Sequence, residues 1–248
     1  MDKIAISDKG YKRDNNQDYH FMDPLNRYFI IADGMGGHKG GEVASYTAVS
    51  AAHELLNDYS AEGITQLQDK LAEAFNAANQ AVYQKSLSTD SLSGMGTTMI
   101  VSYFYGNRLV IAHAGDSRAY LFRCGELIRL TKDHSLVQEM VENGQLDSTQ
   151  AQKHPKRNII TKAVGTQDSI KPDISLIELN PEGLTYLIMC TDGLTDYVTD
   201  KEIENICRKF GSLEDSANEM LSLALKRGGF DNISIVAVRL NESSGSCL

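Results

Sequence analysis

Five aspartates stand out by their settings: Asp18 in Asn15-Asn16-Gln17-Asp18, Asp33 in Asp33-Gly34-Met35-Gly36-Gly37-His38, Asp116 in Gly115-Asp116-Ser117-Arg118, Asp192 in Thr191-Asp192-Gly193-Leu194, and Asp231 in Gly228-Gly229-Phe230-Asp231-Asn232. Three of them follow strongly apolar runs: Tyr28 to Ala32 leads to Asp33, Leu109 to Ala112 towards Asp116, and Leu187 to Cys190 towards Asp192. Asp231 stands just before another run, Ile233 to Val238. Runs of this length and composition read as buried strands, so these carboxylates sit at strand ends on rigid elements at the rim of a core. Carboxylates clustered there repel one another and lose hydration. Divalent cations relieve both penalties, and an all-oxygen ligand set points to magnesium or manganese rather than zinc. A single Asp-Gly is an ordinary turn dipeptide. The weight comes from repetition, because turn chemistry alone does not place four carboxylates at strand ends with a glycine beside three of them.

Arg13 lies a few residues before Asp18, where its planar guanidinium can stand beside a cation cluster and take a tetrahedral oxyanion such as phosphate; a solvated surface charge is the plain alternative. Two cations sharing a carboxylate can activate a trapped water and neutralise a phosphoryl group during in-line attack. No covalent nucleophile is signalled: there is no Cys-x5-Arg loop, no Gly-x-Ser-x-Gly elbow and no Walker A sequence. His38 is the candidate to protonate a leaving alkoxide, or else it shapes the Gly36-Gly37 loop. His134 and His154 read as structural or flap residues, and His20, His53 and His113 as packing or surface positions.

The elements that must position these groups can be traced along the chain. Residues 4–7 and 28–32 read as strands, and 42–59 and 64–87 carry apolar residues at helical spacing, which predicts a pair of long helices. Strands follow at 97–105, 108–114, 117–123 and 126–130, and Gly106-Asn107 and Cys124-Gly125 are short enough to be hairpin turns, so the block reads as antiparallel. A polar stretch follows, with helical patches at 135–143 and 148–153. Strands return at 174–179 and 184–191, helices at 200–210 and 213–227, and a last strand at 232–240. This order predicts an α+β fold, two antiparallel sheets stacked face to face with helices outside.

The 248 residues, 42% of them hydrophobic, suit one domain, taken as 1–240 with a frayed tail at 241–248. The net charge of −9 comes without a basic cluster, which argues against nucleic acid or an anionic membrane as partner. The four cysteines, Cys124, Cys190, Cys207 and Cys247, show neither disulfide nor zinc spacing, and no leader or transmembrane run is present; a cytoplasmic protein is expected.

Asn16-Gln17-Asp18, Asp33-Gly34-Met35-Gly36-Gly37-His38, Gly94-Met95-Gly96-Thr97-Thr98, Gly115-Asp116-Ser117-Arg118, Thr191-Asp192-Gly193-Leu194 and Asp231-Asn232 occur in the order and spacing of a known family. The chain resembles the metal-dependent serine/threonine protein phosphatases (PPM family, type 2C), above all the minimal bacterial and cyanobacterial members, from about residue 1 to 240. The resemblance implies a four-layer αββα sandwich, with helix pairs flanking the two sheets and a binuclear Mg2+ or Mn2+ centre in a cleft at one end. It implies that Asp33 bridges the two metals, that Asp192 and Asp231 hold the first and the Gly34 carbonyl the second, and that Asp18 steadies them through water. Arg13 takes the substrate phosphate. Asp116, with Asp192 and Asp196, matches a third, weaker metal site, and residues 137–160 match a flap beside the cleft. The implied activity is hydrolysis of phosphoserine and phosphothreonine in protein substrates by a metal-bridging water, with phosphotyrosine left open and a monomer expected. Two departures stand out: Met35 replaces the histidine that follows Asp-Gly in animal members, and Phe230 stands where many members have arginine. The rival readings are a two-metal phosphodiesterase or nuclease and a catalytically decayed interaction module of the same fold.

Overall fold

In the computed structural model, residues 1–179 and 184–240 are described, without the side chains of His38, Lys39, Ser148 and Gln152. The expected tail at 241–248 lies outside the described residues. The chain opens with strands β1 (Asp2–Asp8), β2 (Asp18–Met22) and β3 (Tyr28–Met35), followed by helices α1 (Gly37–Leu56) and α2 (Ile64–Ser88). Five strands follow: β4 (Gly96–Thr97), β5 (Met99–Tyr105), β6 (Arg108–Ala114), β7 (Arg118–Arg123) and β8 (Glu126–Arg129). Short helices α3 (Leu136–Glu142) and α4 (Ser148–Lys153) precede β9 (Asp173–Glu178) and β10 (Thr185–Cys190). A single turn, α5 (Asp192–Thr195), then leads to α6 (Asp200–Lys209), α7 (Leu213–Lys226) and β11 (Ile233–Leu240).

The strands form two sheets, one ordered β1-β11-β10-β7-β8 and the other β2-β3-β5-β6-β9, with β4 paired to β3. Every named pairing is antiparallel. Period-two alternation explains why the strand sequences read as unbroken apolar runs. In β3, Tyr28, Ile30 and Ala32 pack against α1 and α2 with Leu67, Leu71 and Phe75. Phe29 and Ile31 point the other way, into a layer shared with Leu121, Leu187, Met189, Val236 and Val238 of the opposite sheet. The outer face of that sheet, including Tyr120, Tyr186 and Ile188, is covered by residues of α6 and α7 such as Ile203, Ala217 and Met220. Four layers of the αββα kind result, as the sequence implies. The outer helices carry their own start signals: Thr199 and Glu202 form a capping box on α6, and Ser212 caps α7.

Two differences from the sequence expectation matter for function. The residue 97–130 block does form two hairpins, β5-β6 and β7-β8, but the hairpins belong to different sheets. The three residues Gly115-Asp116-Ser117 carry the chain from one sheet to the other. Gly115 sits there at φ +109, and a Cβ on it would come within 2.5 Å of the Thr98 side chain, so only glycine fits this crossing. The second difference is β2, a short edge strand whose polar residues hid it from a hydrophobic-run reading. It pairs with β3 so that Asp18 stands directly opposite Asp33. No helix among the described residues is long and apolar enough to cross a membrane.

Candidate metal centre and catalytic cleft

The carboxylates converge because the two sheets meet at one end. β3 does not stop at Ala32 but runs on to Met35, so Asp33 is a strand residue, with its N–H donating to Thr98 Oγ1 (2.9 Å). Gly34 follows where α1 crosses the strand. A Cβ at Gly34 would fall 1.9 Å from the Gly41 carbonyl oxygen, so the helix can approach this closely only because the residue is glycine. Asp18 reaches across the interface: Thr191 Oγ1, at the end of β10 in the other sheet, donates to Asp18 Oδ2 (2.9 Å). Thr191 Oγ1 in turn accepts from the Ser234 N–H on β11 (3.0 Å). Asp192 opens α5 directly after Thr191. Asn232 ties the N-terminal loop to this end of the sandwich, accepting from Gln17 N–H (2.8 Å) and donating to the Lys9 and Asn15 carbonyls (2.9 and 3.0 Å). Of these supports, Thr191 and Thr98 were missed as functional residues from sequence; a hydroxyl beside a strand-end aspartate was the available signal.

Two adjoining clefts result. One, of about 540 Å3, is lined by Arg13, Gln17, Asp33, Gly34, Asp192 and Asp231 among others. The second, of about 640 Å3, is lined by Asp116, Arg118, Arg157, Asp192, Asp196 and Tyr197 among others. Asp192 and Asn158 line both. Asn158 belongs to the segment of α3 and α4, whose base is closed by a bridge between Ser135 and Ile160, and Arg157 of the same segment reaches Asp196 Oδ2 at 3.4 Å. Arg13 Nη2 donates to Asp231 Oδ2 at 2.6 Å, with half of its side chain exposed. The side chain of His38 lies outside the described residues; its backbone is in the first turn of α1.

The electrostatics are dominated by buried carboxylates that repel one another. Burial, then repulsion from Asp18, Asp192, Asp116 and Asp231, holds the Asp33 carboxyl well above its usual range. Burial and the neighbouring Asp116 and Asp231 do the same to Asp192. Burial pushes Asp18 up to about 7 against the hydrogen bonds of Ser234 and Thr191, and pushes Asp116 to about 7 with help from Asp133. Asp18 Oδ1, Asp116 Oδ1 and Asp192 Oδ1 are buried with no hydrogen-bond partner. Buried acceptors are ordinarily satisfied, so three orphaned carboxylate oxygens at this end of the sandwich suit a ligand that accepts their lone pairs, as a cation does. Among the described residues, no three His, Cys, Asp or Glu side chains are drawn together closely enough to hold an ion themselves. Magnesium and manganese fit such an open arrangement, since hard cations of this size take oxygen ligands and keep several waters among them. The donor set therefore fits divalent cations.

A second cluster supports the Asp116 crossing. His134 accepts the Gly115 N–H at Nδ1 (3.0 Å), and its own backbone N–H donates to the Gly115 carbonyl (3.0 Å). Its ring stacks on His113 with centroids 4.7 Å apart, and Nε2 lies 3.3 Å from Asp173 Oδ2. The expectation of a structural or flap residue at His134 thus acquires a specific location, the joint between the Gly115-Asp116 crossing and the base of the α3-α4 segment.

Residues 10–228 match the model of the protein phosphatase 2C family. The protein phosphatase PhpP of Streptococcus pneumoniae is 38% identical over 245 residues, 98% of each chain. The crystal structure of the serine/threonine phosphatase Stp1 from Staphylococcus aureus superposes with a TM-score of 0.91 at 33% identity, covering 98% of this chain and 96% of that one. The catalytic domain of the serine/threonine protein phosphatase PstP, solved with two manganese ions, superposes with a TM-score of 0.85 at 35% identity, covering 97% and 98%. These likenesses extend over nearly the whole chain, and they leave the nuclease and the non-catalytic readings without support. Its sequence motifs, its αββα sandwich and its relatives agree: the chain is a serine/threonine protein phosphatase of the protein phosphatase 2C family.

Proposed function

We propose that this phosphatase works with two divalent cations, Mg2+ or Mn2+, held at the meeting point of the two sheets, and that its own residues divide the work as follows. Asp33 would be shared by the pair, Asp192 and Asp231 would hold the first cation, the Gly34 carbonyl the second, and Asp18 would steady them through water. The observation that carries this reading is the convergence of aspartates from both sheets with three buried oxygens left unpartnered. The two manganese ions in the PstP catalytic domain support it. When bound, such cations supply a nucleophilic water at neutral pH and neutralise charge on the phosphoryl group.

Arg13 orients the substrate phosphate. Its Nη2 donates to Asp231 Oδ2 at 2.6 Å, which sets the guanidinium at the cleft, where its planar fork can take a phosphate oxygen. His38 is assigned proton delivery to the leaving alkoxide from its place in the sequence motif. Asp116, with Asp192 and Asp196, forms a third, weaker cation site; the three share the second cleft, and two of them carry an unpartnered oxygen, which supports the assignment. We take residues 1–240 as one catalytic domain with a flap at 137–160, acting as a monomer on phosphorylated proteins and not on nucleic acid or membranes, in keeping with the net charge of −9. A cytoplasmic setting is in keeping with the wide spacing of the four cysteines, which suggests no disulfide framework.

The test is dephosphorylation of phosphoserine and phosphothreonine peptides in Mn2+ and Mg2+, before and after exhaustive chelation. Activity that vanishes in EDTA and returns with metal is expected, and activity that survives chelation overturns the reading.

A further inference from the structure

The rim of the first cleft is aromatic on the Asp231 side. Phe230, immediately before Asp231, is 50% exposed, and Tyr11, two residues before Arg13, is 69% exposed. The two belong to one surface. The Tyr11 N–H donates to the Gly229 carbonyl (2.7 Å), and a Cβ at Gly229 would lie 3.0 Å from the Tyr11 ring. The Phe230 ring stacks on Tyr197 with centroids 5.8 Å apart and an interplanar angle of 27°, and the Lys12 ammonium stands 6.0 Å from its centroid. Lys12 lines the cleft that holds Arg13, Asp33 and Asp231, while Tyr197 lines the adjoining one with Asp192. Phe230 is therefore flanked by one wall residue of each cleft.

Single exposed apolar residues are ordinary on protein surfaces. A held, contiguous aromatic group beside a strongly acidic cleft is not, and it marks a surface that meets a partner. The partner is set by continuity with the cleft. An extended peptide advances about 3.3 Å per residue, so a side chain one or two residues from a phosphate at Arg13 comes level with a rim one residue from Asp231. Aromatic rings in such a position take apolar side chains.

We propose that Phe230, Tyr11 and Tyr197 form a subsite for an apolar side chain flanking the phosphorylated residue of a protein substrate. The assignment rests on the reading that the phosphate is taken at Arg13. It makes Phe230 a specificity residue: it selects among phosphoproteins and takes no part in the chemistry.

The experiment uses full-length protein with Mn2+ and matched phosphothreonine peptides that carry Leu or Gly at each position from two before to two after the phosphoresidue. For the wild type, kcat/KM is expected to favour Leu over Gly about tenfold at one or two of these positions, through KM, the size of effect that burying one apolar side chain gives. Phe230→Ser and Tyr11→Ser are expected to bring that ratio close to one, and Phe230→Leu to keep most of it. Because the readout is a ratio within each variant, a partly unfolded preparation does not imitate the result. A wild-type ratio near one at every position, or a ratio unchanged in both serine variants, overturns the subsite. A dimer in sedimentation velocity that Phe230→Ser dissociates without moving the ratio also overturns it and gives the patch to a second copy of the chain. A wild type with no metal-dependent activity on any of the peptides instead fails the underlying reading of the cleft.

Discussion

Replacing Asp18 by asparagine is expected to stabilise the metal-free protein while weakening its response to metal. Asp18 is almost fully buried and faces Asp33 across the β2-β3 pair. Burial, with repulsion from Asp231, raises its carboxyl from 3.8 to about 7. That rise corresponds to about 4 kcal/mol held against the folded state once the group is charged. Asparagine removes the charge and keeps an acceptor for Thr191. Since the repulsion is shared with the other carboxylates, the recovered stability is expected at about 2–4 kcal/mol, or roughly 4–16 °C in Tm for a chain of this size. The sign follows from the raised folded pKa: the group destabilises nothing below its unfolded value near 4, and stability is lost as pH rises through about 7. The gain in Asp18→Asn should therefore be largest at pH 8 in EDTA and fade towards pH 4. In saturating Mn2+ the order should narrow or invert, because the wild type gains more from binding. Thermal melts of both proteins at pH 4, 6 and 8, with EDTA and with Mn2+, measure all of this. An Asp18→Asn protein that melts below wild type in EDTA at pH 8, or whose advantage does not depend on pH, would refute the argument.

Arg13→Ala should raise KM for phosphopeptides by more than it lowers kcat, since a guanidinium that holds phosphate alike in ground and transition states contributes mainly to binding; steady-state kinetics that show a pure kcat loss would reassign it. Gly34→Ala should destabilise the fold by about 3 kcal/mol or more, because the new methyl meets the Gly41 carbonyl and forces α1 away from β3; a denaturant midpoint equal to wild type would contradict the close approach. Burial lowers the pKa of His134 and of His113, so their contribution to stability is present above about pH 6.5 and lost as pH falls through the lower folded values. The Tm difference between His134→Gln and wild type should thus shift in favour of the variant as pH falls from 7 to 5; a difference that does not change with pH would remove the histidine pair from the pH response.

Much of the fold was legible in the chain because its signals are local. The helices at α1, α2, α6 and α7 follow from 3.6-residue periodicity, and the buried strands from apolar runs between turns. What could not be read was which strand joins which sheet. The sequence marks hairpin turns at Gly106-Asn107 and Cys124-Gly125 and leaves open how the three residues between the hairpins run. Only the packing of both hairpins around Phe29, Ile111, Leu121 and Leu187 shows that Gly115 to Ser117 cross between layers. β2 was missed for a related reason: an edge strand with Asp18 and His20 in it has no apolar run to announce it.

The candidate site divides along the same line. Which residues are candidates for the chemistry was legible in the sequence, because carboxylates beside apolar runs suit a hard cation and those positions stand out as motifs. How they meet was decided by the tertiary structure. Asp18 and Asp33 are opposed by strand register, Asp18 and Thr191 by the contact of two sheets, and Asp231 and Arg13 by a 218-residue closure of the chain. The same folding puts Phe230, Tyr11 and Tyr197 on one rim. Sequence spacing fixes only neighbours along the chain, whereas charge repulsion, orphaned oxygens and exposed rings depend on distances through space, and those exist only once the sheets have packed.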